Sequence, residues 1–204
     1  MKHKIPCFCD NIFSVEVPGE IDLDVQDEYI DKIMDGSFMN FFCTNCGKKH
    51  KPEFPITILW PSRNLRLEVI PELERGEFYR RKKDQEQKET VIGYPELSDR
   101  IAVYRDRLEP AVIEALKYYL LLKAEETNPD GEISIWYQDK GSDSLEFHIH
   151  GLKTDEIAVT RLPLDLYEKT NRDYKANPRG ELFSSLRWRS YLSVQNMMRP
   201  EELK

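Results

Sequence analysis

The stretch that decides the fold is in two pieces, CFC at residues 7–9 and CTNCG at residues 43–47. The sequence contains four cysteines, and all of them lie in these two pairs. Zinc takes four thiolates in a tetrahedron with Zn–S distances near ~2.3 Å, and two tight pairs joined by a hairpin can supply that arrangement. The glycine after the second pair tolerates the tight turn that such a knuckle requires. The sequence therefore predicts one structural Zn²⁺ site with four ligands, Cys7, Cys9, Cys43 and Cys46.

Other interpretations of these side chains stay open at this stage. The thiols can be free, or the second pair can be a redox centre, although no strand–helix–strand pattern of the thioredoxin kind surrounds it. His3 lies four residues before the first pair and His50 four residues after the second. Either imidazole can replace a thiolate as a ligand, and either can equally be a solvated surface side chain.

The residues around both pairs resemble the CpXC domain, a bacterial and archaeal family named for its paired Cys-Pro-x-Cys motifs. The chain departs from that pattern twice: its first pair is Cys-x-Cys preceded by Pro6, and its second pair carries Thr44 where the family has proline. The resemblance implies a zinc-ribbon-like module, and the family has no established activity. The matching segments are residues 5–9, 30–40 and 42–47, with looser matches at 69–72 and 112–117.

The pattern over residues 1–72 predicts a β-rich module. Residues 4–17 predict a hairpin that carries the first cysteine pair, because β-branched and aromatic residues flank it. Alternating residues 21–25 predict a further strand, and an amphipathic face predicts a short helix over 26–35. Residues 56–60 and 65–70 predict two strands separated by the turn signal Pro61-Ser62-Arg63-Asn64.

Beyond this module the sequence predicts a charged connector over residues 73–90 and a C-terminal unit over 91–204. Residues 80–89 contain no apolar side chain, so they have nothing to bury. In the second unit we expect helices over 95–104 and 108–126, strands over 133–138, 145–150 and 157–162, a short helix over 163–167, and another helix over 186–198. The three strands follow one another through short turns, which favours antiparallel pairing. The expected fold class is α+β.

The composition bounds the function. The net charge of −7 does not favour long-range attraction to nucleic acid. No apolar run approaches the roughly 20 residues that span a bilayer, and the basic start lacks the apolar stretch of a secretory signal. We therefore expect a cytoplasmic protein, in which cysteines act as ligands or thiols and not as disulfides.

Two other features carry possible chemistry. Glu146, His148 and His150 alternate along a predicted strand and therefore share one face, where two imidazoles and a carboxylate can hold a catalytic metal. The polar face of a half-buried strand has the same pattern.

Residues 169–204 carry eight basic and four acidic residues, a balance of +4, and mix cations with aromatic rings that can contact nucleic acid. The cationic and aromatic residues of this mixture are Arg179, Arg187, Trp188, Arg189, Tyr191 and Arg199. The same mixture is typical of a docked terminal helix.

No nucleophile elbow, phosphate loop or dinucleotide fingerprint occurs in the sequence. The sequence therefore favours a non-enzymatic, zinc-stabilised binding or scaffold protein with a protein partner. A metal-dependent enzyme built on Glu146, His148 and His150 is one alternative, and nucleic-acid binding through the basic C-terminal stretch is another.

Overall fold

A computed structural model describes residues 1–81, 89–129 and 131–197. The fold is mixed α+β, as predicted, with the four cysteines in a strand-rich N-terminal region. The described residues form two compact units, residues 1–81 with 89–98 and residues 99–129 with 131–197. The division lies within helix α3 (Gly93–Arg105), whereas the sequence analysis placed a connector at residues 73–90.

The first unit begins with the predicted hairpin, β1 (Lys2–Pro6) and β2 (Ile12–Glu16). The strands are antiparallel, with Ile5 opposite Phe13, and both of these side chains are buried. Their neighbours along each strand face solvent, which is the alternation expected when one face of a hairpin packs on a core. The turn between the two strands is where Cys7 and Cys9 lie.

A central set of strands forms the core of this unit. It consists of β3 (Glu20–Asp22), β6 (Ile56–Trp60), β7 (Leu65–Ile70) and β8 (Glu89–Ile92). Within the unit these strands lie in the order β8–β7–β6–β3, and β6 and β7 are antiparallel while the outer pairs are parallel. The sequence predicted β6 and β7 with their observed bounds.

Strand β8 was not predicted, and it explains why residues 89–98 belong to the first unit. It pairs in parallel with β7 and buries Val91 and Ile92. Part of the predicted connector also has regular structure. It forms helix α2 (Arg75–Arg80), in which the Phe78 side chain is buried. Residues 82–88 of that connector lie outside the described residues. The first unit further contains helix α1 (Glu28–Met34) and the two-residue strands β4 (Phe41–Phe42) and β5 (Lys49–His50).

The second unit is built on helix α4 (Pro110–Thr127), which packs near strand β9 (Ser134–Lys140). Strands β10 (Ser144–Lys153) and β11 (Glu156–Pro163) complete an antiparallel sheet in the order β11–β10–β9. Helix α5 (Leu164–Ala176) is much longer than the predicted helix at 163–167. It is followed by helix α6 (Glu181–Ser185), which was not predicted.

The predicted helix over residues 186–198 was wrong. The described part of this segment forms a small hairpin, β12 (Arg187–Trp188) and β13 (Tyr191–Leu192), and then a single 3-10 turn at Val194–Asn196. Two buried charges hold the backbone in place: Arg100 donates to the carbonyl of Leu192, and the N–H of Val194 donates to Glu114. Tertiary hydrogen bonds thus replace the helical ones.

Among the described residues, none of the helices combines the length and the apolar character needed to cross a membrane.

Candidate metal centre

The first cysteine pair lies in a tight turn at the end of hairpin β1–β2. The N–H of Cys7 donates to the carbonyl of Asn11 across 2.9 Å, and the N–H of Asp10 donates to the carbonyl of Cys7 across 3.0 Å. Asp10 takes a left-handed conformation with φ +62°, which aspartate tolerates better than most residues. These bonds close the turn and direct the thiols of both Cys7 and Cys9 to the same side.

The second pair lies between β4 and β5. The N–H of Cys43 donates to the carbonyl of Lys48, and the N–H of Gly47 returns to the carbonyl of Cys43, each across 2.9 Å. Gly47 has φ +69°, the left-handed conformation in which glycine has no steric penalty. The glycine that the sequence analysis identified after the second pair is therefore the residue that closes this knuckle.

The two turns bring all four sulfur atoms together. The Sγ atoms of Cys7, Cys9, Cys43 and Cys46 lie within 4.8 Å of one another. Across the two turns, Cys7 Sγ is 3.5 Å from Cys46 Sγ, and Cys9 Sγ is 3.7 Å from Cys43 Sγ. A tetrahedral zinc thiolate site has sulfur–sulfur edges of about 3.8 Å. The observed cluster therefore fits a metal ion of this size.

Two asparagine side chains contact the sulfurs. Asn11 donates to Cys43 Sγ across 3.5 Å, and Asn45 donates to Cys9 Sγ across 3.6 Å. The Asn11 side chain, together with the N–H of Cys46, lowers the pKa of Cys43 to about 5. The backbone N–H of Asn11, helped by the Asn45 side chain, lowers the pKa of Cys9. Hydrogen bonds thus stabilise two thiolates before any metal is considered.

Cys7 behaves in the opposite way. The backbone N–H of Cys9 favours its thiolate, but burial and the adjacent thiols outweigh that bond and raise the pKa of Cys7 to about 12. Four thiolates this close repel one another, so one of them retains its proton unless a cation compensates their charge. This imbalance is the behaviour expected of a cluster that is suited to a bound metal ion.

The two histidines near the pairs differ in position. His50 Nε2 lies 3.2 Å from Cys7 Sγ, so the imidazole contacts one of the four sulfur atoms. The ring of His3 packs on Phe54, with centroids 4.4 Å apart. Within the described ranges, the only group of three or more potential ligand side chains around one point is the four cysteines. The sequence analysis did not identify Asn11 and Asn45 as residues that contact the sulfur atoms. The signal available in the sequence was the position of each asparagine beside a cysteine pair.

Comparison with known proteins agrees with this geometry. A family model described as "CpXC protein" matches residues 5–117, which is more than half of the chain and includes all four cysteines. The chain belongs to the CpXC family. The family assignment confirms the resemblance inferred from the cysteine pairs.

This CpXC protein is also similar to an uncharacterized protein of Treponema pallidum (strain Nichols). The two are 28% identical over 215 aligned positions, which cover 95% of this chain and 97% of the relative. The similarity therefore extends over both units and not only over the cysteine region. No solved structure matched the chain.

Elsewhere in this CpXC protein, the structure does not bring all three proposed ligands, Glu146, His148 and His150, around one point. They share one face of β10, as predicted, and all three are half-buried. Arg161 of β11 donates to the Glu146 carboxylate across 2.6 Å and 3.0 Å, and this contact lowers the pKa of Glu146. His148 Nε2 is 3.3 Å from the same carboxylate. The arrangement is an ion pair that joins two strands.

The basic and aromatic residues of the C-terminal stretch are distributed over several elements. Arg187 and Trp188 lie on β12, and the guanidinium of Arg189 stacks 5.3 Å from the Trp188 ring. Tyr191 is completely buried and serves the core. Arg199 lies outside the described residues.

Proposed function

We propose that this CpXC protein is a non-enzymatic binding or scaffold protein whose N-terminal module is held together by one structural Zn²⁺ and recognised by a protein partner. The observation that carries the proposal is the convergence of four sulfur atoms within 4.8 Å of one another. A soft, all-thiolate ligand set favours zinc among the metals available to a cell. The thiols must stay reduced, so the proposal also places the protein in the cytoplasm.

The ligand set supports a structural role for zinc. When bound, the metal would link the turn of hairpin β1–β2 to the turn between β4 and β5. Four thiolates leave no open position for a water molecule, which a catalytic zinc requires. Asn11, Asn45 and His50 each contact one sulfur atom and would fix its orientation.

An exposed aromatic ring at the metal site supports a binding role. Phe8 separates two of the cysteines, and its side chain is 85% exposed. The ammonium group of Lys48 lies 4.3 Å from the centre of this ring. A large apolar side chain held in solvent by a rigid turn is typical of a contact residue in an interface, and aromatic residues contribute most to such contacts. The expected partner is a protein surface that offers apolar contact and a carboxylate for Lys48.

Metal analysis tests the zinc proposal. Protein that has never been exposed to a chelator should contain about one Zn²⁺ per chain, and each of the four Cys→Ser variants should lose it. Thr44→Ala, a change inside the second turn that removes no sulfur, is the matched control and should keep the metal. Metal-free wild-type protein would refute the proposal.

Comparative capture from a native lysate tests the binding role. Zinc-loaded wild-type protein and Phe8→Ala are immobilised side by side, together with Val25→Ala as a control. Val25 is 77% exposed in the same unit, so its truncation removes a different exposed apolar side chain. A partner retained by wild type and Val25→Ala but lost by Phe8→Ala supports the proposal, whereas equal capture by all three contradicts the assigned surface.

A further inference from the structure

Strand β11 is an edge strand with an apolar face in solvent. Within residues 99–129 and 131–197 it pairs with β10 on one side and ends the sheet on the other. Its side chains Ile157 and Val159 are 53% and 55% exposed. An edge of this kind presents unpaired N–H and C=O groups to another strand, and proteins usually block it with lysine, proline or an inward charge. Residues 157–160 contain none of these.

The register of the sheet shows which side chains share the exposed face. Val159 lies opposite His148, and Arg161 lies opposite Glu146. On β10, His148 and Glu146 alternate with Phe147 and Leu145, which are completely buried, and therefore lie on the opposite face of the sheet. Ile157, Val159 and Arg161 therefore project on the outer face, while Ala158 and Thr160 belong to the face that carries the core.

We propose that β11 pairs in antiparallel orientation with β11 of a second copy of this chain, so that the sheet continues across a two-fold axis at Ala158. A two-fold axis perpendicular to the sheet leaves the outer faces of both copies on the same side. Residues of the outer face must therefore lie opposite residues of the outer face, and only every second register satisfies this condition. With Ala158 opposite the partner's Ala158, Ile157 falls opposite the partner's Val159. The two exposed apolar side chains of each copy then cover each other.

The same register also matches the charges. It brings Arg161 close to the partner's Asp155, an exposed residue in the turn directly before β11, and the symmetry repeats this approach on the other side of the axis. Arg161 is 67% exposed on its side chain, so its guanidinium can contact a second carboxylate beside Glu146. In the neighbouring permitted register, with Val159 on the axis, Ile157 would face the partner's Arg161. Self-complementarity of both apolar and charged positions favours a second copy over an unrelated strand.

The oligomeric state tests the inference directly. Sedimentation equilibrium of the full chain at about 100 µM should show a dimer. Val159→Lys places an ammonium group opposite the partner's Ile157 on each side of the axis and should produce a monomer with an unchanged circular dichroism spectrum, since the side chain is already half in solvent. Leu122→Lys is the matched control: Leu122 is 44% exposed on α4 of the same unit, and this variant should remain dimeric. A monomeric wild type, or a dimer that survives Val159→Lys, would overturn the proposal.

Cross-linking tests the register independently of the metal site. Directly opposed residues in an antiparallel pair have Cα atoms ~5 Å apart, within the range of a disulfide. Ala158→Cys should therefore link to itself under mild oxidation, and the linked peptide pair is identified by mass spectrometry. Thr160→Cys is the control, because the two copies of residue 160 would be at least ~13 Å apart along the strands. A link through residue 160 but not through residue 158 would refute the register.

Discussion

The side-chain amide of Asn11 donates a hydrogen bond to the sulfur of Cys43 across 3.5 Å, and a second one to the hydroxyl of Thr44 across 3.2 Å. A residue of the first turn thus contacts two residues of the second, 32 and 33 positions later. This contact positions the two cysteine pairs relative to each other without a metal. It is also the largest influence on the ionisation of Cys43.

Asn11→Ala should therefore shift metal release to higher pH. In the wild type the pKa of Cys43 is lowered from the ordinary thiol value of 9.0 to about 5, so its thiolate persists above that pH and is lost as the pH falls through it. Removing the Asn11 amide raises this pKa, and protons compete with the metal at higher pH. Zinc release is followed with a colorimetric indicator between pH 8 and pH 4.

Ser14→Ala on the same hairpin is the control, because Ser14 lies on the exposed face of β2. It should release zinc at the wild-type pH. An Asn11→Ala curve that coincides with the wild-type curve would show that the Asn11 bond does not influence the ligands.

Cobalt substitution should report four sulfur ligands and an inert centre. Thiolates give intense sulfur-to-cobalt absorption, and a tetrahedral site gives a characteristic visible pattern. The Cys7–Cys9 pair is where coordination by all four sulfur atoms is hardest to achieve, because only one residue separates the two ligands. A spectrum with a bound water or nitrogen ligand, together with hydrolytic activity lost in Cys9→Ser, would contradict the structural assignment.

Lys117→Met should strongly destabilise the second unit. The Lys117 ammonium contacts the carboxylates of Asp99 and Glu114, and all three side chains are almost completely buried. Removing one partner of a buried ion pair costs about 3–5 kcal/mol, because a charge is left without compensation. Urea unfolding measures the loss, and Lys123→Met on the exposed side of the same helix should change stability by less than about 0.5 kcal/mol.

The cost of Lys117→Met should also depend on pH. Burial raises the pKa of Asp99 to about 6, and Lys117 opposes this shift. A carboxyl group with a raised pKa binds its proton more tightly in the folded state, so it destabilises the fold as the pH rises through that value. The stability deficit of the variant should be larger at pH 8 than at pH 5. An equal deficit at both values would show that Asp99 does not titrate in this range.

Gly151→Ala should destabilise β10. Gly151 has φ +85°, and a Cβ atom at this position would overlap the carbonyl oxygen of Glu132. The strained conformation alone costs a non-glycine residue about 1–3 kcal/mol. Gly141→Ala is the control, since the nearest atom to its Cβ would be 3.4 Å away. The melting temperature should fall for Gly151→Ala and change little for Gly141→Ala.

Local patterns predicted the elements whose side chains alternate or repeat without interruption. Strand β6 alternates between buried and partly exposed positions along its whole length and β7 does so as far as Val69, and the sequence predicted both with their observed bounds. Helix α4 was also predicted, but hydrophobicity alone does not identify its buried side chains. Tyr119 and Leu122 are each 44% exposed, whereas Glu114 and Lys117 are buried. Periodicity treats a charged residue as exposed and carries no information about a partner on another element.

The sequence by itself determined the α+β class, the family and the four cysteines that converge, because each depends on residue types at short spacing. Only the tertiary structure decided the parallel strand β8, the hairpin at β12 and β13, and the contacts of Asn11, Asn45 and His50 with sulfur. The physical reason is the range of the interactions. A turn or a strand depends on the conformational preferences of residues that are neighbours in the sequence. Strand β8, the β12–β13 hairpin and the contacts with sulfur depend on hydrogen bonds and burial between residues that only the folded chain brings together.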